Sequence, residues 1–371
     1  MTQLVECSVC GRSIGELGYL IRCPFCGGIP IIKYDNPRFR VDPRRPGIWR
    51  YYSLLPFFET VVSRGEGLTP IFRVNNVLVK NERFNPTGSY ADRASAIIAS
   101  YLKSRGIKSV KVSYEPGFTK SILHYLRGFS KATYCIRDLI EVDIEDLFEI
   151  SKFGEISTCR ESSTISTYID YMSALTIEGL KTILFEIFES RIDIEHIVVP
   201  AKTGVLAFSL AKGLEELRNA GAEPGFDVIA VFSKGTTIPD YLRKVKHIQV
   251  VGVSSDELMD SFKLLISEGI YTAPLSVMGF HIARSLGKSL AVLTIGYRPR
   301  IPPRKSKLRE RILKTIEKFG KASAYDIWRY NNEYSLRGVY KAVKSMVKDG
   351  IVCEEPYTKR GRKVMLYKLC S

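Results

Sequence analysis

Histidines and long apolar runs are both scarce in this chain of 371 residues. The four histidines, His124, His196, His247 and His281, show no spacing typical of metal ligands, and no Ser/His/Asp arrangement follows from their separations. No apolar run approaches the roughly 18 residues that a membrane span requires, and the first residues lack the charged and apolar regions of a signal peptide. We therefore expect a soluble, cytoplasmic protein without a membrane partner.

The basic charge is concentrated at one end of the chain. The formal net charge is +16, from 55 basic and 39 acidic residues. Residues 301–371 hold 18 Lys and Arg against 7 Asp and Glu, which leaves a net charge of only +5 for the first 300 residues. Such a concentration favours a polyanionic partner such as DNA or RNA, although it could also only aid solubility. A chain of this length should also divide into two or three domains.

Four of the eight cysteines form two Cys-x-x-Cys pairs, Cys7 with Cys10 and Cys23 with Cys26, separated by 12 residues. Two such turns aim four thiolates at one point, which is the tetrahedral shell that Zn²⁺ prefers. Four protein ligands leave no open position, so we predict a structural zinc ribbon over residues 1–34. A redox dithiol and an iron centre remain alternatives. The other cysteines are expected to be reduced, and they are Cys135, Cys159, Cys353 and Cys370.

The middle of the chain alternates between β-branched runs and amphipathic helical patterns. Strands are predicted at 109–113, 196–200, 227–232, 247–253 and 289–295, and helices at 92–105 and 204–219. This alternation predicts an α/β fold with a largely parallel sheet that is covered on both faces. Ligands of such sheets bind where loops leave the carboxyl ends of the strands.

Three motifs follow one another in this region: residues 49–56 read WRYYSLLP, residues 65–70 read GEGLTP and residues 85–93 read NPTGSYADR. Together they resemble threonine synthase, a fold-type II pyridoxal-phosphate (PLP) enzyme. The similarity continues in family order over about 300 residues, at 178–183, 197–204, 212–217, 268–274 and 292–296. The resemblance implies a tryptophan synthase beta-like core over residues 35–298.

The resemblance also shows what has been lost. Ala91 stands where the family has the lysine that forms an aldimine with PLP and moves the substrate's protons, and a methyl group can do neither. Residues 112–118 read VSYEPGF in place of the asparagine loop, and residues 201–205 read AKTGV in place of the glycine-rich phosphate cradle. We therefore expect neither PLP nor catalysis. Lysines that could in principle replace the missing one are Lys80, Lys120 and Lys202.

Part of the family's ligand site persists. Asn85, Thr87, Gly88 and Ser89 retain the loop that opens a helix, where backbone N–H groups favour a carboxylate or a phosphate. Thr294 matches the family threonine that hydrogen-bonds the pyridine nitrogen. These residues could instead persist only as cap, turn and core packing. By analogy with the family, the ligand would be a small amino acid or its phosphorylated precursor.

After a proline-rich linker at 297–304, residues 299–371 predict a small second domain. Helices are expected at 308–319, 323–330 and 336–348, followed by strands at 351–355 and 363–369 around the basic tip PYTKRGR. This order resembles the winged helix-turn-helix domain of transcription regulators. Val339, Val343 and either Met346 or Val347 should form the buried stripe of the third helix.

Eight residues of this domain are predicted to contact DNA. On the third helix they are Arg337, Tyr340, Lys341 and Lys344, and on the wing they are Lys359, Arg360, Arg362 and Lys363. A winged helix that only makes protein contacts is the alternative.

These features predict a homodimeric regulator that binds double-stranded DNA and whose threonine synthase-like domain senses a metabolite without catalysis. Two alternatives stay open. One is an active PLP enzyme with a relocated lysine. The other is a non-catalytic scaffold in transcription that binds no metabolite.

Overall fold

The β-branched runs of the first unit, Met1–Arg298, form two sheets. In spatial order the larger sheet consists of β11 (Ile248–Val253), β10 (Asp227–Ser233), β9 (His196–Pro200), β13 (Ser289–Leu293), β4 (Val77–Asn81) and β3 (Ile71–Val74). All its neighbours are parallel except β3 and β4, which are antiparallel. The smaller sheet is wholly parallel and consists of β7 (Glu155–Ser157), β6 (Lys131–Cys135), β5 (Ser109–Ser113) and β8 (Thr167–Ile169).

This computed structural model describes residues 4–136, 140, 142–157, 167–243, 245–297, 307–348, 351–359 and 362–369. Most of the predicted linker, the wing residue Arg360, Cys159 and Cys370 lie outside these ranges. No helix within them is long and apolar enough to cross a membrane.

Helices surround the two sheets. They are α1 (Asp92–Ser104), α2 (Phe118–Leu126), α3 (Ile144–Phe153), α4 (Ala174–Leu180), α5 (Thr182–Glu189), α6 (Val205–Asn219), α7 (Asp240–Arg243), α8 (Met259–Ser267) and α9 (Pro274–Ser285). Single 3₁₀ turns lie at Gly15–Tyr19, Glu82–Phe84 and Asp256–Leu258, and a longer one at Gly47–Leu54. Two further antiparallel pairs are β1 (Val5–Cys7) with β2 (Pro30–Ile32), and β12 (Tyr271–Thr272) with β14 (Gly296–Tyr297).

Strand β9 shows why the central strands read as continuous apolar runs. Ile197 and Val199 pack into one hydrophobic core, whereas Val198 points to the other face and packs into a second core. Because both faces of the sheet are buried, alternation of apolar and polar residues is not required.

Helices α1 and α4 cross at a glycine. A Cβ atom on Gly179 would lie 2.5 Å from the carbonyl oxygen of Arg93 and from the Cα of Ala94. Nearby, a buried ionic network joins α1 to α5: the Arg93 guanidinium donates to Glu82 at 2.7 Å and to Glu186 at 2.6 Å. The close crossing and the network hold α1, and therefore the loop before it, in one position.

The second unit, Pro299–Ser371, contains three helices and one antiparallel sheet within its described residues. The helices are α10 (Lys307–Phe319), α11 (Ala324–Tyr330) and α12 (Leu336–Lys348). The sheet has the order β15 (Ala322–Ser323), β17 (Arg362–Leu369) and β16 (Val352–Lys359).

Local sequence explains the helix ends of this unit. Gly320 follows α10 with φ +70°, and Ser323 forms a capping box with Asp326 at the start of α11. The hydroxyl of Ser335 accepts a hydrogen bond from the Gly338 N–H, which caps α12.

The second unit confirms the stripe predicted on its third helix and corrects the expected length of its hairpin strands. Val339, Val343 and Met346 are fully buried. The hairpin strands are longer than predicted, because pairing continues through Pro356, opposite Met365, to Lys359, opposite Arg362. β16 is an edge strand, where a proline without an N–H is tolerated.

The second correction concerns two cysteines that were expected to be reduced. Cys135, at the end of β6, and Cys353, in β16, are each disulfide-bonded. The sequence carried no spacing that distinguished them from core thiols.

Candidate functional site

The four clustered cysteines lie on two tight turns of the same design. The N–H of Gly11 donates to the carbonyl of Cys7 at 3.0 Å, and the N–H of Gly27 donates to the carbonyl of Cys23 at 2.9 Å. Both glycines have a positive φ, of 69° and 68°, which a residue with a side chain rarely adopts. Each turn therefore directs two thiols toward the other turn.

The thiols converge on one point. The Sγ atoms of Cys7, Cys10, Cys23 and Cys26 all lie within 4.8 Å of one another, with Cys7 3.4 Å from Cys26 and Cys10 3.7 Å from Cys23. A tetrahedral zinc ion with bonds of 2.3 Å separates its sulfur ligands by about 3.8 Å. Burial raises the pKa of the Cys7 thiol to about 12, whereas the Arg12 backbone N–H lowers the pKa of Cys10 to about 7. The cluster thus fits a metal ion held by four thiolates.

The retained NPTGS loop is built into the wall between β13 and α1. Asn85 is buried, donates to Glu82 and accepts from the Gly67 N–H at 2.9 Å. The hydroxyl of Thr87 donates to Asp92 at 2.6 Å. Gly88 has φ +80°, and a Cβ there would lie 2.9 Å from the carbonyl oxygen of Gly296. Asn85 and Gly88 therefore stabilise the conformation of the loop rather than offer groups to a ligand.

Ala91 lies at the first turn of α1 and is completely buried. Its neighbour Tyr90 donates to or accepts from Tyr171 at 2.5 Å between hydroxyl oxygens. The ring of Tyr171 in turn lies 5.2 Å from that of Phe118 on α2. Burial raises the pKa of Tyr171, and nearby Tyr90 and Tyr241 raise it further. Aromatic side chains thus join the loop before α1 to the loop before α2.

The turn before α6 is covered by α7. A Cβ on Gly204 would lie 2.2 Å from Cδ1 of Leu242, which is buried. The hydroxyl of Tyr241 donates to the carbonyl oxygen of Thr203, and its ring lies 5.8 Å from that of Phe208. An apolar side chain and a hydroxyl donor therefore occupy the space in front of this helix N-terminus.

Thr294, at the end of β13, is also engaged by protein atoms. Its hydroxyl lies 2.8 Å from that of Ser276, and its N–H donates to Ser276 at 3.0 Å. It is buried in the wall rather than exposed to a cavity.

The three candidate replacement lysines have different surroundings. The Lys80 ammonium is buried and donates to Glu186 at 2.6 Å and to the Thr69 carbonyl at 2.7 Å. Lys202 is exposed to solvent. Lys80 also borders a cavity, but its ammonium is already bonded to Glu186 and Thr69, whereas Lys120 lines a different cavity.

That cavity, which we call the Lys120 cavity, has a volume of about 420 Å³. Thr87, Ser89, Lys120 and Asp146 lie on its polar side, and Phe262 on its apolar side. The structure thus brings Thr87 and Ser89 to one cavity, whereas Asn85 and Thr294 do not line it.

In the second unit, the four predicted positions of α12 are exposed, and they are Arg337, Tyr340, Lys341 and Lys344. Lys344 lies 3.3 Å from Glu354 of β16. In the register of the hairpin strands, Lys359 lies opposite Arg362, and the exposed Lys363 lies opposite Thr358.

Comparison with known proteins relates the first unit to PLP enzymes. Over 254 residues the chain is 24% identical to the threonine synthase of Methanocaldococcus jannaschii. This alignment covers 59% of this chain and 62% of that protein. The chain therefore spans less than two thirds of the length of this relative. No protein-family model matches the chain.

Solved structures show the fold. A PLP-dependent aspartate racemase superimposes with a TM-score of 0.54 and 14% identity, covering 66% of this chain and 98% of that one. Serine racemase from Dictyostelium discoideum superimposes with a TM-score of 0.53 and 16% identity, and the superposition covers 63% of this chain and 93% of the racemase. The first unit is a threonine synthase-like domain with the PLP fold-type II architecture.

The residues of this threonine synthase-like domain do not fit PLP. Ala91 offers no amine at the position of the family lysine, and Leu242 with Tyr241 occupies the front of the turn that would cradle the cofactor phosphate. Tyr171 joins Tyr90, in the loop before α1, to Phe118 of α2, which belongs to the segment that replaces the family's asparagine loop.

Sequence reasoning did not identify Tyr171, Tyr241 or Leu242 as site residues. Tyr171 follows strand β8, and Tyr241 and Leu242 lie in the short helix α7. No motif marks them, because their contacts to α2 and α6 are made across the fold. Asp146 was missed for the same reason, since α3 carries no recognisable motif.

Proposed function

We propose that this chain is a DNA-binding transcription regulator in which a threonine synthase-like domain has become a non-catalytic sensor of a small amino acid or its phosphorylated precursor. The second unit would bind DNA as a winged helix-turn-helix, and the protein would act as a homodimer on paired half-sites.

The exposed face of α12 carries this proposal. Val339 and Val343 fix the buried side of the helix, so Arg337, Lys341 and Lys344 project from the opposite side. A helix of this kind fits the major groove, where Arg and Lys contact guanine edges and flanking phosphates. The ion pair of Lys344 with Glu354 is exposed, and such pairs contribute little, so a phosphate can replace the carboxylate.

The hairpin supplies a second basic surface. Lys363 is exposed at the start of β17, and Lys359 and Arg362 are the last partners in the strand register, next to the turn. A hairpin of this charge is suited to the DNA backbone beside the groove that α12 would enter.

The first unit supports a sensor rather than an enzyme. Its Ala91 and its covered phosphate cradle leave no route to PLP chemistry, while the Lys120 cavity leaves room for a small ligand. A ligand that binds two arrangements of the protein with different affinity shifts the balance between them, and this is all that a sensor requires. The cysteine cluster would hold a structural zinc ion.

The test is the salt dependence of DNA binding by the full chain, measured by fluorescence anisotropy on a labelled duplex. The variant Arg337→Ala/Lys341→Ala removes two charges from the exposed face of α12. The control Lys314→Ala/Lys318→Ala removes two exposed charges from α10. If both residues of the first pair contact phosphates, the slope of log K against log salt becomes shallower by about 2. Equal effects of the two double variants would contradict recognition through α12.

A further inference from the structure

The larger sheet of the first unit ends at an uncovered strand. Strand β11 pairs with β10 over six residues in a continuous parallel register, and no strand in the described part of the chain pairs with its other side. Val250 is 37% exposed, and Gln249 and Gly252 are exposed as well. The outer side of β11 is therefore accessible to another polypeptide.

The register shows which backbone groups lie on this outer side. The carbonyl oxygens of His247 and Val253 accept from the N–H groups of Val228 and Lys234. Alternate residues of a parallel strand direct both backbone groups to the same neighbour, so the odd-numbered residues of β11 bond to β10 and the even-numbered ones point outward. The outward residues are Ile248, Val250 and Gly252. Their backbone groups have no hydrogen-bond partner within the described residues.

β11 also lacks the features that usually keep sheet edges from pairing, which are short strands, charged side chains and proline. β3, at the opposite edge of the same sheet, is four residues long, carries Arg73 and follows Pro70. The smaller sheet ends in β7 and β8, which have three residues each. β11 reads IQVVGV and contains neither a charge nor a proline. It is therefore the least protected edge of the two sheets.

The outward residues complement a second copy of themselves. If two β11 strands pair antiparallel about a two-fold axis at Val250, this valine faces its own copy, and Ile248 of each chain faces Gly252 of the other. Residues that face each other in this way exchange two backbone hydrogen bonds, so the three pairs form about six. Facing β-branched side chains at the axis add a favourable cross-strand contact.

Gly252 is not required by the fold of the single chain. Its φ lies outside the positive range, and a Cβ there would meet the Lys234 side chain at 3.4 Å, an ordinary contact distance. A glycine within a strand often marks the close approach of another backbone. In the antiparallel pair it leaves room for the side chain of Ile248 from the second copy.

Charges beyond the ends of β11 favour the same arrangement. Lys246, before the strand, and Asp256, after it, are exposed, and neither has an ion-pair partner among the described residues. Antiparallel pairing brings the start of one strand beside the end of the other, so the lysine of each copy approaches the aspartate of the other copy. Complementary charges of this kind fix the orientation of an interface.

We propose that β11 is a self-association edge, through which two copies of this chain pair antiparallel over Ile248–Val253 with the two-fold axis at Val250. Their larger sheets then form one continuous sheet. That this dimer places two DNA-binding units on paired half-sites rests on the proposed function; the pairing itself does not.

The experiment is sedimentation equilibrium of the full chain, with hydrogen exchange followed by mass spectrometry on the same samples. We expect a mass of twice 41.9 kDa that falls toward the mass of the single chain on dilution. Peptides that cover residues 248–253 should exchange slowly in the dimer and quickly in the diluted monomer, because the outward N–H groups donate only across the pair.

Variants locate the axis. Val250→Lys places two like charges against each other and should weaken dimerisation by about 10-fold or more. Val61→Lys, the same change at another exposed valine, should leave it unaltered. Val250→Glu alone should also dimerise weakly, but a mixture of the Val250→Lys and Val250→Glu chains should recover the dimer, because opposite charges then meet. A general loss of folding does not produce such recovery.

A wild-type chain that stays monomeric would overturn the inference, as would a dimer that Val250→Lys does not weaken or a mixture that does not recover. Slow exchange of residues 248–253 at every concentration would also overturn it, because another segment of the same chain would then cover the edge. DNA binding is measured on the same samples. A dimer that binds no DNA keeps this inference and loses the proposed function, whereas a monomer that binds DNA loses the inference and keeps DNA recognition through α12.

Discussion

Restoring the missing lysine tests whether the PLP site has been lost or lacks only one group. Ala91 is fully buried beside apolar neighbours, so the variant Ala91→Lys places an ammonium group in the core. Full burial shifts a lysine pKa by 3 units or more, and each unit corresponds to 1.36 kcal/mol, so the charge costs about 4 kcal/mol. The matched variant Ala91→Met has a similar length without the charge and should lose only the about 1–3 kcal/mol typical of overpacking.

Two assays read the result. Chemical denaturation should show that the lysine variant loses about 4 kcal/mol more than the methionine variant. After incubation with PLP and reduction with borohydride, mass spectrometry should find no cofactor on the introduced lysine, because Leu242 and Tyr241 still cover the phosphate cradle. A yellow, stable variant with reduced PLP on that lysine would refute the reasoning. An adduct on Lys120 of the unaltered chain would favour an active enzyme instead.

Three further predictions concern other parts of the fold. The purified chain should contain one zinc ion by elemental analysis, Cys10→Ser should lose it and Cys353→Ser should retain it; a metal content that is equal in both variants would contradict the zinc ribbon. Gly179→Ala should lower the free energy of unfolding by about 1–3 kcal/mol or more, because the added Cβ would clash with the backbone of α1. Gly225→Ala is the control, since its Cβ would project into open space and should cause no clash. Equal losses of stability in the two variants would exclude a close crossing of α1 and α4. Burial raises the pKa of Asp92 to about 6, so the folded state binds that proton more tightly than the unfolded state. Its contribution to stability should therefore fall as pH rises, by about 2 kcal/mol between about pH 4 and about pH 6. Unfolding measured over this range should show that decline in the wild type but not in Asp92→Asn, and parallel curves would disprove it.

Much of the fold follows from local pattern. The strands at 109–113 and 196–200 lie where β-branched runs predicted them, because a strand buried on both faces leaves a short apolar run in the sequence. Ser323 and Gly320 marked helix ends, since a capping hydroxyl and a positive φ are properties of single residues.

The rest depends on contacts between distant segments. Pro356 looked like part of a turn, and only its place on an edge strand lets the hairpin continue through it. Leu242 covers Gly204 across the fold, and nothing in the residues around either one predicts the contact. The residues that line the Lys120 cavity likewise come from segments that lie far apart along the chain.

The site itself was predictable in part. The loss at Ala91 was visible because a motif surrounds it, and Thr87 and Ser89 do line a cavity. Asn85 and Thr294 do not, because neighbouring protein groups already use their hydrogen-bonding atoms. Resemblance to an active family locates a site, but it does not show which of its polar groups still face a ligand.

Sequence-specific DNA binding is the central claim, and selection from a pool of random duplexes tests it most directly. The full chain and its Arg337→Ala/Lys341→Ala variant are carried through the same rounds, and the enriched pools are sequenced. The account predicts that the wild type enriches one motif, arranged as paired half-sites, and that the variant does not. Pools from the wild type that stay random, or an identical motif from both proteins, would contradict it.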